Sequence, residues 1–459
     1  MGLLFIIIVL LAVVLYVQGY KIPALLLFFF FLTSGLNLIP EKMTKLAFFS
    51  KGSDYAIIML FIVVVTDAFC IKDYLKPNRL IYLYLLFCAY LVACVFYNKF
   101  VIGVGWVEIT RTCRYHFLWV SYLVFRNMSK VQLEILLKYL FLATVFCSVL
   151  YLFQIILDVS ILNEGGESTA KFFGMEIPRY YNQPDMLHFF VLMALYYNPF
   201  RGMVKYVTTA ILVVALLAAF HRSLLGSFFL AVALGFILQL PRLQRIKVLS
   251  VVAVLLVFFV AFAGYKFVHS RTYIDIQRVA SGNVADTEID IEDLQASTFT
   301  FRILHLLERN QYLLDNRIAM LFGAGLMTED SKLTFSMFDF DIGLAEEMSG
   351  QTNQLDTGDI SYSVLLLRYG YLGTLLNLAL FIYLAVFFYE KRENKYAFFS
   401  FLFFVMSFGT SFFSANLVQP MTFVLPLISY SIIKKNLDGE FDGYIAAKSP
   451  SGDLGVKEG

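Results

Sequence analysis

The chain has 459 residues, 59% of them hydrophobic and 15% charged, with a mean hydropathy of +0.74 and a formal net charge of +2. Soluble chains carry about a quarter charged residues, so these values exclude an ordinary soluble enzyme, and the near-balanced charge gives no basic surface for nucleic acid. Phe (49) and Tyr (28) are abundant, as suits side chains facing lipid and its interface; the expected fold is an all-α polytopic integral membrane protein.

The opening run MGLLFIIIVLLAVVLYVQG lacks a basic start and a small-residue cleavage site, so it reads as a retained first helix rather than a signal peptide. Further apolar runs fall at 22–39, 54–71, 80–97, 109–126, 134–157, 184–199, 204–221, 223–240, 247–268, 360–389, 396–413 and 416–433. Runs near the ~20 residues that cross a bilayer set an expectation of about 12–14 transmembrane helices. The loops KDYLKPNR, RNMSK, RGMVK, PRLQRIK and EKRENK share one side if these spans alternate, and that side is cytoplasmic by the excess of Lys and Arg. Lys42, Lys45 and Lys51 run against this orientation. Cys70, Cys88, Cys94, Cys113 and Cys147 lie in or beside apolar runs with no metal-site or disulfide spacing.

Four parts follow: an N-terminal bundle (1–268), a large extracytoplasmic loop (269–359), C-terminal helices (360–433) and a polar cytoplasmic tail (434–459) expected to be disordered. From Arg271 to Asp359 the loop has sixteen acidic and six basic residues. A smaller outer segment, 158–183, contains PRYYNQ, where Arg179 sits among aromatics and is open to a stacking or a ligand-binding role.

Within the large loop, FRILHLLERNQYLLDNRIAMLFGAGL places Ile303, Leu304, Leu307, Leu314, Ile318 and Leu321 on roughly one helical face. Arg302, His305 and Arg309 superimpose on the other. That cationic face reads either as a phosphate-binding surface or as an ordinary solvated one. Gly323 and Gly325 stop the helix, since glycine accepts left-handed backbone. Arg222, in AAFHRSLLGSFF, stands between two apolar runs and faces the bundle interior or snorkels outward; His221 adjoins it. His116 and His188 read as packing residues.

The run from Asp359 to Tyr389 is about 45 Å long as a helix, longer than a ~30 Å hydrocarbon core. Arg368 therefore lies near the outer interface, where snorkelling competes with ligand binding, and Gly370 and Gly373 permit close helix contact. Asp359 precedes ISYSVLLL as an N-cap would, or it serves as a catalytic base; Asp356 competes for either role. No HExxH, GxSxG, P-loop or paired-Cys pattern appears, so neither metal nor cofactor is expected.

The order of these parts resembles the O-antigen polymerase and ligase superfamily, whose members have about a dozen helices and one large outer loop before the last spans. HRSLLGSFFLAV matches its arginine after an apolar helix. FRILHLLERNQYLLDNRIAMLFGAG matches its loop-helix arginine and G-x-G turn. DISYSVLLLRYGYLG matches its closing motif, from Asp359 through Tyr362 to Gly370 and Gly373. The resemblance implies a membrane glycosyltransferase of GT-C-like architecture in the bacterial inner membrane, acting on its outer side. Its implied substrates are undecaprenyl-diphosphate-linked oligosaccharides, as donor and acceptor, in a lipid bilayer, with a chain-length regulator and a flippase as partners. Arg222 and Arg302 would hold the diphosphate, Asp359 would act as base, and Arg179, Tyr362, Arg309, His305, Arg368 and His221 would contact diphosphate or glycan. Ligases typically begin the closing motif with His-Asn; Asp359-Ile360 here favours a polymerase. A ligase passing glycan to lipid A core, and a lipid-linked oligosaccharide flippase, are the competing readings.

Overall fold

A computed structural model describes residues 2–46, 49–71, 74, 78–163, 167–172, 175–241, 244, 298–329, 331–342, 353–355 and 360–437. Among these, four helices are long and apolar enough to cross a membrane: Gly52–Cys70, Arg79–Ile102, Lys130–Leu157 and Ser361–Glu390. Shorter apolar helices, including Gly2–Val17, Lys21–Leu32, Gly202–Ala218 and Lys395–Thr410, pack against them. Their surfaces are apolar on both sides. In Gly2–Val17 the buried Phe5, Val9, Ala12 and Tyr16 are backed by exposed Leu3, Ile7, Leu10, Leu11 and Val14. A helix hydrophobic all round belongs in lipid or in a large core, and here one side has no protein over it. The chain is a helical membrane protein.

Helix boundaries follow local chemistry. Ser129 and Gln132 form a capping box at the start of Lys130–Leu157, which satisfies two amides that lack intrahelical partners. The Asn78 side chain accepts from the Ile81 amide at 3.0 Å, starting Arg79–Tyr97. Densely paired aromatic rings fill the interior, with Trp119 stacked on Phe423 at 4.5 Å and edge-on to Phe381 at 5.3 Å.

Several expected elements differ. The run 109–126 is not one span but three pieces: helix Trp106–Cys113, a 3-10 turn Arg114–Val120 and helix Ser121–Arg126. Arg114, inside this run, is held at 2.8 Å by Asp54 of a neighbouring helix, a pairing that fixes the chain where charge could not face lipid. The run 22–39 is helical only over Lys21–Leu32, after which Ser34, Leu36 and Asn37 take positive φ. The run 184–199 shortens to Leu187–Tyr196. The segment 158–183 contains an antiparallel hairpin, Glu167–Phe172 with Met175–Tyr180. The expected span 247–268, loop residues 269–297, and tail residues 438–459 lie outside the described residues; residues 434–437 continue the helix Met421–Leu437.

Two features position the functional elements. The loop helix Thr298–Asp315 ends at Asn316, whose side chain accepts from the amides of Ile318 and Ala319 at 3.1 and 3.2 Å and starts a second helix, Arg317–Phe322. The closing helix Ser361–Glu390 is kinked at Gly370, which has φ 58° and ψ −171°.

Candidate functional site

The turn after Arg317–Phe322 and the kink of the closing helix form one interlocked unit. Gly323 (φ +77°) and Gly325 (φ +143°) reverse the chain, and the Ala324 amide between them donates to the Leu367 carbonyl at 2.6 Å. That carbonyl precedes the Gly370 kink, which disturbs the helical ladder there. Tyr90, on Arg79–Tyr97, closes the unit from a third side. Its hydroxyl donates to the carbonyl of Leu321 at 3.0 Å and also contacts that of Tyr369. Asn98 accepts the Leu326 amide at 2.7 Å. The GAG and RYGYLG stretches are thus held together backbone to backbone, and the expectation that Gly370 and Gly373 allow close contact is met.

The loop helix turns its cationic side inward, opposite to a solvated or open phosphate-binding face. His305 is fully buried, its Nδ1 3.1 Å from the Ser363 hydroxyl of the closing helix. Burial, and then the Arg309 charge, push its imidazole down to about 3, so it is neutral. Arg309 is 1% exposed, ion-paired with Glu308, and stacked 3.9 Å from the centre of the Phe340 ring. Burial raises the Glu308 pKa against the opposing pull of Arg309. Leu314, Ile318 and Leu321, assigned to the apolar face, are instead exposed. The ligand roles expected for His305 and Arg309 are therefore corrected: packing against the closing helix and Phe340 takes both side chains. Arg302, one turn earlier, is half-buried with its guanidinium 5.6 Å from the Phe413 ring.

Phe413 follows the helix Lys395–Thr410, on which the helix carrying Arg222 packs. The helix Arg222–Gln239 runs against Lys395–Thr410 so closely that a Cβ on Gly409 would stand 2.8 Å from the Ser227 hydroxyl. Arg222, just over one turn before Ser227, thus lies level with the turn that follows Thr410. Its side chain is outside the described residues. His221 is the N-cap, its Nδ1 accepting from the Leu224 amide at 3.3 Å, which gives it a structural role. Arg179 donates from Nε to the Ala219 carbonyl at 3.2 Å and lies 4.6 Å from the Tyr181 ring, so it joins the segment leading to Arg222. Tyr362 packs on Phe412 at 4.7 Å.

Asp356 and Asp359 lie outside the described residues, but the neighbouring backbone bears on the cap reading. The closing helix begins at Ser361 and its N-cap position is Ile360, which has no capping side chain. The Ser361 amide instead donates to the carbonyls of Ser411 and Ser414, both at 3.1 Å. The cap and base readings of Asp359 itself lie outside the described residues; what the described backbone shows is that tertiary contacts already bond the first amide of the helix.

Arg368 points elsewhere, into a cavity of about 330 Å³ that it lines with Arg111, Tyr115, Trp119, Asn377 and Phe423 among others. Arg111 was hidden inside a run read as an ordinary span, although an arginine in such a run is itself a signal of function. His116, expected as a packing residue, borders the same cavity and bonds the Tyr369 hydroxyl at 2.8 Å. No protein-family model matches the chain, and no curated protein matches it.

Proposed function

We propose that the chain is a polytopic glycosyltransferase of the bacterial cytoplasmic membrane, with about 12–14 spans and GT-C-like architecture. It polymerises undecaprenyl-diphosphate-linked oligosaccharide units on the outer leaflet into O-antigen or a related surface polysaccharide. The observation that carries this reading is the interlock of the two stretches that hold the resemblance, through Ala324 to Leu367. Arg302 lies 5.6 Å from the Phe413 ring, and the helix that begins at Arg222 packs on the helix leading to that turn. Motif pieces remote in sequence that meet in space are what a shared site requires.

In the proposed reaction a hydroxyl oxygen of the acceptor sugar attacks the anomeric carbon of the donor. The bond from that carbon to the lipid diphosphate breaks, and the electron pair leaves with the diphosphate. Asp359 takes the hydroxyl proton. Arg222 and Arg302 stabilise the departing polyanion, because their donor forks match phosphate oxygens. Arg179 acts through the Ala219 carbonyl to hold the segment that carries Arg222. Asp359 standing where ligases have His-Asn supports polymerisation over ligation. A flippase and a chain-length regulator are the protein partners that accompany this reading.

The purified protein is supplied with undecaprenyl-diphosphate-linked repeat units alone. A ladder of longer lipid-linked glycans supports a polymerase. Glycan transfer that begins only after lipid A core is added assigns a ligase, and no transfer in either mixture removes the glycosyltransferase reading.

A further inference from the structure

Residues beside the loops RNMSK, RGMVK and EKRENK, remote in sequence, meet around a second pocket. It measures about 180 Å³ and is lined by Val131, Glu134, Lys138, Tyr197, Pro199 and Tyr396 among others. Drug-sized ligands occupy sites of ~300–1,000 Å³, so this space suits a small polar group rather than a whole substrate. The excess of Lys and Arg in these loops assigns this end of the helices to the cytoplasmic leaflet, away from the chemistry proposed above.

Two opposite charges in the pocket wall stand apart. Glu134 and Lys138 lie four residues apart on Lys130–Leu157, the order and spacing at which a glutamate and a lysine pair best on a helix. Yet they form no ion pair with each other. Glu134 accepts from the Tyr396 hydroxyl at 2.9 Å, while the Lys138 ammonium lies 5.1 Å from the centre of the Phe200 ring. Lys395, exposed and 3.7 Å from the centre of the Tyr197 ring, adds a second cation at the edge. Further along the same helix side, at the next two steps of four, come the exposed Leu142 and Phe146. The stripe therefore presents a carboxylate, an ammonium and then apolar side chains, at intervals of about 6 Å running into the bilayer.

A phospholipid with a primary ammonium in its head group has the complementary order: ammonium outermost, phosphate next, acyl chains inward. A lipid with an uncharged glycerol head group would bring no cation to Glu134. A quaternary ammonium would bring the charge but no N–H to donate. A free phosphate would leave Leu142 and Phe146 unused. We infer that this pocket binds the head group of an ethanolamine phospholipid, with its ammonium on Glu134, its phosphate on Lys138 beside Lys395, and its acyl chains along Leu142 and Phe146. Such a lipid would tie together three segments that start separate helices, Lys130–Leu157, Gly202–Ala218 and Lys395–Thr410.

The full-length protein in detergent micelles is titrated with three phospholipids of identical acyl chains, bearing ethanolamine, choline or glycerol head groups. Native mass spectrometry reads the affinity of the first lipid retained. The ethanolamine lipid should bind about fivefold tighter than the other two, the scale of one part-exposed ion pair. Glu134→Gln keeps an oxygen for the Tyr396 hydroxyl and should bind all three alike. Lys138→Gln should weaken all three by about fivefold. Lys205→Gln removes an exposed cation that lies near Tyr206 and outside the pocket, and should leave the affinities unchanged. Free phosphoethanolamine, added to the unaltered protein at the concentration of the ethanolamine lipid, should not displace it; this measurement needs no variant to fold. The glycerol or choline lipid binding as tightly as the ethanolamine lipid would overturn the inference, as would a preference that survives Glu134→Gln. Lys205→Gln weakening binding as much as Lys138→Gln would reveal only a diffuse attraction of lipid to basic loops, and displacement by free phosphoethanolamine would reveal a soluble ligand; either result overturns it too. Polymer formation enters none of these outcomes, so this site and the polymerase reading can fail separately.

Discussion

Gly370 and Gly323 face each other so closely that a Cβ on Gly370 would stand 2.8 Å from the Gly323 amide nitrogen and 2.5 Å from the Met320 carbonyl oxygen. Both glycines have positive φ, +58° and +77°. The kink of the closing helix and the turn of the loop therefore depend on each other. Gly370→Ala meets strain and backbone contact at once, with no flexible side chain to yield. It should destabilise the protein by about 2–4 kcal/mol, read as a fall in the thermal unfolding midpoint in detergent. Gly226→Ala, at a position with open space around it, should leave the midpoint nearly unchanged.

Arg309 should prove structural. Its guanidinium is buried beside Glu308 and over Phe340, and removing one partner of a buried ion pair leaves the other charge uncompensated. Arg309→Ala should cost about 3–5 kcal/mol. Replacing both partners, with Arg309→Met and Glu308→Gln, should recover a substantial part of that loss. A surface-exposed, ligand-binding arginine would show neither effect, so unfolding midpoints of the single and double variants decide the matter.

His305 gives a pH dependence with a definite sign. Its folded-state pKa is lowered to about 3 from an unfolded value of about 6.5. Between these values the unfolded chain holds a proton on this residue that the folded chain does not. Its contribution is therefore full above about 6.5 and is lost as pH falls, by up to about 1.4 kcal/mol per pH unit. Glu308 acts in the opposite direction, because its raised folded-state pKa lets the folded form take up a proton first as pH falls. Comparison with His305→Asn isolates the histidine: the variant should lose stability less steeply between pH 6 and pH 4 in chemical denaturation at each pH.

What could be read from residues alone divides along physical lines. Lys130–Leu157 and Ser361–Glu390 are long apolar runs, and periodicity with length identifies such helices almost by themselves. The break at Arg114–Val120 escapes that reading, because mean hydropathy over a span does not register that Arg114 finds Asp54 across the bundle. The inward turn of Arg302, His305 and Arg309 escapes it for a related reason. Assigning charge to water assumes that no partner waits inside, whereas Ser363 and Phe340 supply partners from other stretches and Glu308 one from the same helix. Gly323, Gly325, Gly370 and Gly373 were legible as points of turning or close approach. That the GAG turn and the RYG kink bond each other was not, since no local pattern encodes a contact across the chain. Trp119 and Asn377 are missed likewise, as unremarkable residues that only packing brings to one cavity, whereas Arg111 carries a signal of its own as a charge within an apolar run.

Asp359 and Arg302 carry the last prediction. The closing helix has its N-cap at Ile360 and its first amide bonded to Ser411 and Ser414, so Asp359→Asn should leave the free energy of unfolding within about 0.5 kcal/mol of its original value. It should nevertheless reduce polymer formation by at least about 100-fold, the scale of a lost general base. Arg302→Lys retains the charge near Phe413 but not the paired donors, and should lower the rate by about 100-fold with protein still in the membrane. The two variants should differ in pH response. In the original protein the rate should fall as pH drops far enough to protonate the base, and that limb should vanish from the residual activity of Asp359→Asn while persisting in Arg302→Lys. Full polymer length and rate in Asp359→Asn would remove the base assignment while leaving the arginines to be judged by their own variants.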